Sequence, residues 1–176
     1  ASDTAAASTV TVAAEAPAPV EATPAPAPVA KVDTGDTAWI LVSTALVLLM
    51  TIPGLALFYG GMVRKKNVLS TMMFSLSAAI LVSLIWVIVG YSLAFSGSGA
   101  YVGDFAKSML NGVAFDALSG TIPESLFVIF QMTFAIITVA IISGSIADRM
   151  KYSAFMAFIA VWVILVYAPI THWVWA

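Results

Sequence analysis

Four long stretches without Asp, Glu, Lys or Arg in their cores constrain this chain more than any other feature. They run over about residues 37–61, 68–95, 123–147 and 152–175. About 20 apolar residues in a helix are enough to cross the hydrocarbon core of a bilayer, and each stretch has that length. A charge at the bilayer centre costs roughly 2.5–3.5 kcal/mol on insertion scales, so uncharged cores are a requirement of spans. Only 9% of the 176 residues are charged, against about a quarter in a soluble domain. Within hydrocarbon the backbone must satisfy its own polar groups, which selects helices. The predicted fold class is therefore all-α, a polytopic helical membrane protein with four transmembrane helices.

Residues 1–35 differ from the rest. The stretch 13–30 is mostly Ala, Pro, Val, Glu and Thr with repeated Ala-Pro pairs. Proline removes backbone donors and favours extended geometry, so the tail is read as a disordered, Ala/Pro-rich leader or spacer. The sequence starts at Ala1, which fits either removal of a leader or a start inside a longer chain. Asp36 is placed to cap the first span. Pro53-Gly54 falls inside that span, where a membrane bundle tolerates a kink that would end a soluble helix.

Loop charges set the orientation. The first connection holds Arg64, Lys65 and Lys66, and the third holds Arg149 and Lys151. The second connection, about residues 96–122, has Lys107 with Asp104 and Asp116. Lys and Arg remain on the cytoplasmic side, so the first and third connections face in. The second connection and both ends of this chain then face out. Short inner connections make spans 1–2 and 3–4 antiparallel hairpins. Small residues at Gly54, Gly60, Gly61, Gly90, Ser143, Gly144 and Ser145 let helix backbones approach closely.

Most chemistry is excluded by what the chain lacks. It has no cysteine, and His172 is its one histidine, which rules out thiolate sites and histidine pairs within it. Phosphate loops, zinc-protease motifs and nucleophile elbows are absent, so no enzyme, cofactor or metal is expected. No basic cluster is long enough to grip nucleic acid. His172, near the outer end of span 4, reads as a hydrogen-bonded structural residue. Phe130 and Phe134 stand four apart on span 3 and so share a face, with Gln131 and Thr133 between them. Trp173 and Trp175 close span 4. Rings near an outer mouth can hold a cation by their quadrupoles, worth roughly 0.5–2 kcal/mol per contact. The same rings also suit ordinary packing and an interfacial belt.

Four blocks carry a resemblance. TIPGLALFYGG at 51–61, followed by Arg64 and KNVL at 66–69, comes first. GYSLAF at 90–95, FQMTFAIITVA at 130–140 and YAPITHWVW at 167–175 follow in order. Together they resemble the N-terminal part of the ammonium transporter (Amt/Mep/Rh) family and extend over nearly all of the chain after the tail. The resemblance implies an eleven-helix, inverted-repeat channel fold, of which residues 36–176 supply the first four helices. It implies a homotrimer with a pore in each subunit. Phe130, Phe134 and Trp175 are similar to an outer aromatic site that recruits ammonium or methylammonium before ammonia crosses a hydrophobic pore. Phe134 also resembles part of the outer constriction, and Phe58 resembles a residue of the inner vestibule. The family's acidic residue and twin pore histidines follow the span-4 tryptophan, so His172 is neither of them. The resemblance further implies a bacterial inner-membrane location and a PII-type signalling protein as cytoplasmic partner. An ammonium sensor, or a non-conducting structural membrane fragment, is the alternative reading.

Overall fold

The computed structural model describes residues 31–97, 99–114, 116–146 and 149–176. The expected disorder of residues 1–30 and the expected end of span 3 at Ala147 lie outside the described residues. Among the described residues, four helices are long and apolar enough to cross a membrane: α1 Thr34–Met62, α2 Lys65–Phe95, α3 Glu124–Ile146 and α4 Tyr152–Trp175.

Helix α1 begins at Thr34, and its N-cap is Asp33 rather than Asp36. The Asp33 carboxylate accepts from the amides of Gly35 and Asp36 at 2.8 and 3.0 Å. These are two of the donors that the start of any helix leaves unpaired. Asp36 instead bonds to the connection between α2 and α3. The Thr121 hydroxyl donates to its carboxylate at 2.6 Å, while the Asp33 amide donates to the Thr121 carbonyl at 2.9 Å. The start of α1 is thereby tied to that connection. A sequence pattern cannot separate two aspartates three residues apart when the distinction is a contact to residue 121.

Helix α1 continues through Pro53 by widening. Residues Met50–Leu55 form a π-helical turn. Proline cannot donate to the carbonyl four residues back, and its ring crowds that group, so one extra residue in the turn relieves the conflict. A second wide turn, Val163–Tyr167, lies just before Pro169 in α4. A third, Trp86–Gly90 in α2, has no proline; there Gly90 lies against the Trp86 indole.

Helix α2 is the hub and packs on α1, α3 and α4. Its buried positions Phe74, Ala78, Val82 and Trp86 recur every four residues and form one stripe. Val128, Ala135, Ile136 and Val139 of α3 and Phe155, Ile159 and Val163 of α4 complete the core. The remaining faces are also apolar and are exposed, as at Leu46, Leu57, Leu84, Ile141, Val161 and Leu165. A helix that is apolar all round is suited to hydrocarbon or to further protein, not to water. The fold must therefore be held by close packing and polar pins rather than by exclusion of water.

Gly144 is one such close approach. A Cβ there would overlap the Tyr59 ring, and the Tyr59 hydroxyl donates to the Ile141 carbonyl at 3.3 Å. The glycine brings the C-terminal ends of α1 and α3 together. Gly144→Val is expected to cost about 1–3 kcal/mol, the usual range for overpacking. Gly61→Val is the matched control, since a Cβ at Gly61 meets nothing within 4 Å. Thermal unfolding in detergent checks both; equal shifts for the two variants would remove Tyr59–Gly144 as a packing constraint.

The connection between α2 and α3 folds over the end of α2 and the start of α3. It contains a short 3-10 turn at Ser108–Leu110 and a small antiparallel ladder of β1 Leu118–Ser119 with β2 Ile122–Pro123. Gly120, with φ of 65°, supplies the left-handed residue that this tight reversal needs. Asp104 anchors the first half. Its carboxylate accepts from the Ser96 hydroxyl and the Ala106 amide, and its carbonyl accepts from the Ser92 hydroxyl. The two donors to the carboxylate, the Ser96 hydroxyl first, hold the Asp104 carboxyl below the usual carboxylate range.

Candidate functional site

The three aromatic residues singled out from sequence meet in space. Phe130 and Phe134 lie one turn apart on α3, with ring centroids 5.0 Å apart and planes at 88°. Trp175, from the last turn of α4, meets Phe134 at 5.7 Å and 78°. Both contacts are edge-to-face, the arrangement favoured by ring quadrupoles. Helical spacing predicts the first contact. The second joins residues 41 positions apart, and only the packing of α4 beside α3 creates it.

This row of rings borders two clefts. One, of about 430 Å³, opens at the N-terminal ends of α1 and α3 and is lined by Asp36, Trp39, Thr121, Phe127 and Phe130 among others. The other, of about 290 Å³, lies between α3 and α4 and is lined by Phe134, Thr138, Trp162, Tyr167, Thr171 and Trp175 with two aliphatic residues. Phe130 belongs to the first cleft, and Phe134 and Trp175 to the second. Trp175 is half exposed, and the two phenylalanines are partly buried.

The second cleft also holds hydroxyl groups that sequence reading passed over. Thr138 follows Phe134 by four residues and Thr171 precedes Trp175 by four, so each shares a helix face with a ring already identified. That spacing is the signal that could have found them. The Thr138 hydroxyl donates back to the Phe134 carbonyl at 2.7 Å, which satisfies its proton and leaves oxygen lone pairs. Polarisable ring faces beside hydroxyl oxygens can accept a small cation, and the apolar remainder of the cleft favours a neutral species.

Phe58 is not brought to this row. It lies in the second half of α1, exposed, with its ring against Tyr59 at 5.3 Å. His172 is buried, and both its ring nitrogens face backbone carbonyls: Nδ1 the Ala94 oxygen at 3.0 Å and Nε2 the Gly99 oxygen at 2.7 Å. Among the described residues, no group of three or more His, Cys, Asp or Glu side chains is placed to hold a metal ion.

Polar pins hold the helices that carry the rings. The Trp86 indole, fully buried, donates to the Val128 carbonyl at 3.1 Å. Glu124, at the first position of α3, accepts from the Tyr91 hydroxyl at 2.7 Å and pairs with the Lys107 ammonium. Lys107 also lies over the Tyr91 ring, 5.8 Å from its centroid. These contacts fix the C-terminal end of α2 to the N-terminal end of α3, one turn or two from Phe130.

The sequence profile of the Ammonium Transporter Family matches residues 38–176. An ammonium transporter of Bacillus subtilis is 54% identical over 143 residues, covering 80% of this chain and 35% of the relative. One from Aquifex aeolicus is 47% identical over 148 residues, covering 83% and 35%. The crystal structure of Candida albicans Mep2 is similar with a TM-score of 0.74 and 35% identity, over 82% of this chain and 32% of that one. The chain spans about a third of the length of the curated relatives it matches. With four helices of membrane-spanning length and this match over nearly all of the described residues, the chain is an integral membrane protein that belongs to the ammonium transporter family.

Proposed function

We propose that this chain supplies the outer recruitment site of an ammonium channel or transporter, with Phe130, Phe134 and Trp175 as the residues that receive the ion. The observation that carries the reading is the Phe134–Trp175 contact, which brings rings from two spans to one cleft. An ammonium ion there exchanges part of its hydration for ring faces, at roughly 0.5–2 kcal/mol per contact. The gain is made only at the rings, and beyond them a bare charge in hydrocarbon costs roughly 2.5 kcal/mol or more with nothing to offset it. The species that passes the apolar path is therefore ammonia, and methylammonium is a suitable tracer. The activity is transport rather than catalysis, and Phe134 narrows the entry to the pore. Phe58 belongs to the opposite, inner vestibule.

In this reading the site faces away from the cytoplasm, in a bacterial inner membrane. Arg64, Lys65, Lys66, Arg149 and Lys151 mark the inner connections. Lys107, the cation of the outer connection, is paired with Glu124, so it adds little charge to the outer face. The assembly is a homotrimer, and the basic inner connections are the side on which a PII-type signalling protein would act.

Methylammonium uptake tests the reading. Cells lacking their own ammonium uptake express the complete reading frame that contains this chain, with and without Phe134→Ala and Trp175→Ala together. Losing two ring contacts lowers uptake at low substrate by about tenfold or more. Uptake equal to that of the unmodified protein would remove the aromatic site from the mechanism.

A further inference from the structure

The last turn of α4 is tied to the rest of the chain by an imidazole and an indole. His172 lies three residues before Trp175 and is 8% exposed. Its Nδ1 faces the Ala94 carbonyl at 3.0 Å and its Nε2 faces the Gly99 carbonyl at 2.7 Å. Ala94 lies in the last turn of α2, where helix carbonyls have no partner within the helix. The neighbouring carbonyls are satisfied by other contacts: Ser92 by the Ser96 amide and Leu93 by the Gly103 amide. The Ala94 carbonyl is satisfied by His172. Trp173 adds a parallel tie, its indole donating to the Tyr101 carbonyl at 2.7 Å. The turn that carries Trp175 is thus fastened to the end of α2 and to the start of the outer connection.

A carbonyl oxygen can only accept. A neutral imidazole has one donor and one acceptor, so it would set a nitrogen lone pair against one of these two oxygens. Two acceptors, both within hydrogen-bond distance, call for two donors. The C-terminal end of a helix also favours a cation at this place. Among the described residues, no other charged or titratable side chain hydrogen-bonds to the His172 ring. The Asp104 carboxylate accepts from Ser96 and Ala106, Glu124 pairs with Lys107, and the Tyr91 hydroxyl donates to Glu124. Tyr101 offers its backbone carbonyl to Trp173, and Tyr167 lines the cleft between α3 and α4. Among the described residues the polar contacts of the His172 ring are the two carbonyls alone.

We infer that His172 is the positioning residue of the outer aromatic row, acting as an imidazolium that donates to Ala94 and Gly99 and so seats Trp175 against Phe134. This rests on the recruitment-site reading for its effect on transport, but its charge state does not. Losing one proton breaks one of the two ties. Loss of the bond to Gly99 frees the turn from the connection, and loss of the bond to Ala94 frees it from the end of α2. Trp175 is then less well seated, and substrate is held less well. The clamp is complete while both ring nitrogens carry protons and loses one tie when either proton leaves, so higher pH can only weaken it.

Two measurements on the full-length protein test this. In the first, protein labelled with 15N-histidine is compared with H172Q in detergent at pH 6, so that the missing resonances identify His172. Both ring nitrogens should carry protons; a neutral tautomer at that pH overturns the inference. In the second, methylammonium uptake is measured between pH 6 and 8.5. The apparent KM of the unmodified protein should rise about three- to tenfold with pH while the maximal rate is kept, the scale of one hydrogen bond. H172Q should show the raised KM throughout and a flat profile. A KM that is flat or falls with pH in the unmodified protein overturns the positioning role, and that arm needs no variant to fold. Absence of all methylammonium uptake by the unmodified protein would instead sink the transport reading and leave the nitrogen spectrum to decide the clamp.

Discussion

Trp86→Ala is expected to destabilise the full-length protein by about 3 kcal/mol or more, the range found when a buried large aromatic is removed from a core. Trp86 is fully buried, and its ring meets Tyr91, Phe95 and Tyr167 at 6.1 to 6.3 Å, each edge-to-face. Those partners come from α2 itself and from α4, while the indole N–H donates to Val128 of α3. One side chain therefore joins three spans. In a membrane the unfolded helices stay in lipid, so little of this is transfer from water. It is the loss of packed contacts and the opening of a void that lipid cannot fill. Trp86→Phe separates the parts. It keeps most of the ring and loses the donor, for about 0.5–1.5 kcal/mol. Unfolding in detergent measures both variants. A phenylalanine variant as weak as the alanine variant would mean that the hydrogen bond, not the packing, joins the spans.

Glu124→Ala carries the second large effect, about 1–3 kcal/mol, and it is local to the connection between α2 and α3. The substitution strands the Tyr91 hydroxyl and the Lys107 ammonium, both directed at the same carboxylate oxygen. The cost stays below that for a fully buried pair because the Lys107 side chain is 33% exposed and water can recover part of its solvation. Glu124→Gln keeps an acceptor for Tyr91 and removes the charge, so it should fall between. Amide exchange gives the readout. Gly103 and Lys107 donate their amides to the Leu93 carbonyl and the Ser92 hydroxyl. Both should exchange faster in Glu124→Ala while core amides of α2 do not. Unchanged protection at Gly103 and Lys107 would show that the connection is held without the pair, by Asp104 and the Ser92 and Ser96 hydroxyls.

The two variants separate kinds of information in the chain. The apolar stripe at Phe74, Ala78, Val82 and Trp86 follows from helical periodicity, and Trp86 is its next member. That Trp86 should have its partner on α3 does not follow, because Val128 lies 42 positions away. Glu124 is legible in sequence only as a charge at the rim of a span. Its partners come from a connection of irregular structure, where no period relates residue 107 to residues 91 and 124. The N-cap falls at Asp33 rather than Asp36 for the same reason. The two aspartates are chemically equal at a helix start, and the contact of Asp36 with Thr121 decides between them.

The aromatic row divides in the same way. Phe130 and Phe134 share a face because a helix repeats about every 3.6 residues, which needs no tertiary structure. The motifs around them carry the family, and the uncharged lengths carry the four spans. Sequence by itself determined those things because they depend on local geometry and on the solvent a residue must meet. Only the tertiary structure decided that Trp175 reaches Phe134, that Gly144 receives the Tyr59 ring, and that both nitrogens of His172 face carbonyls from elsewhere in the chain. Each of these is a meeting of segments far apart in sequence. In lipid such meetings are selected by shape and by polar pairing, and the hydrophobic pattern, nearly uniform along every span, holds no record of them.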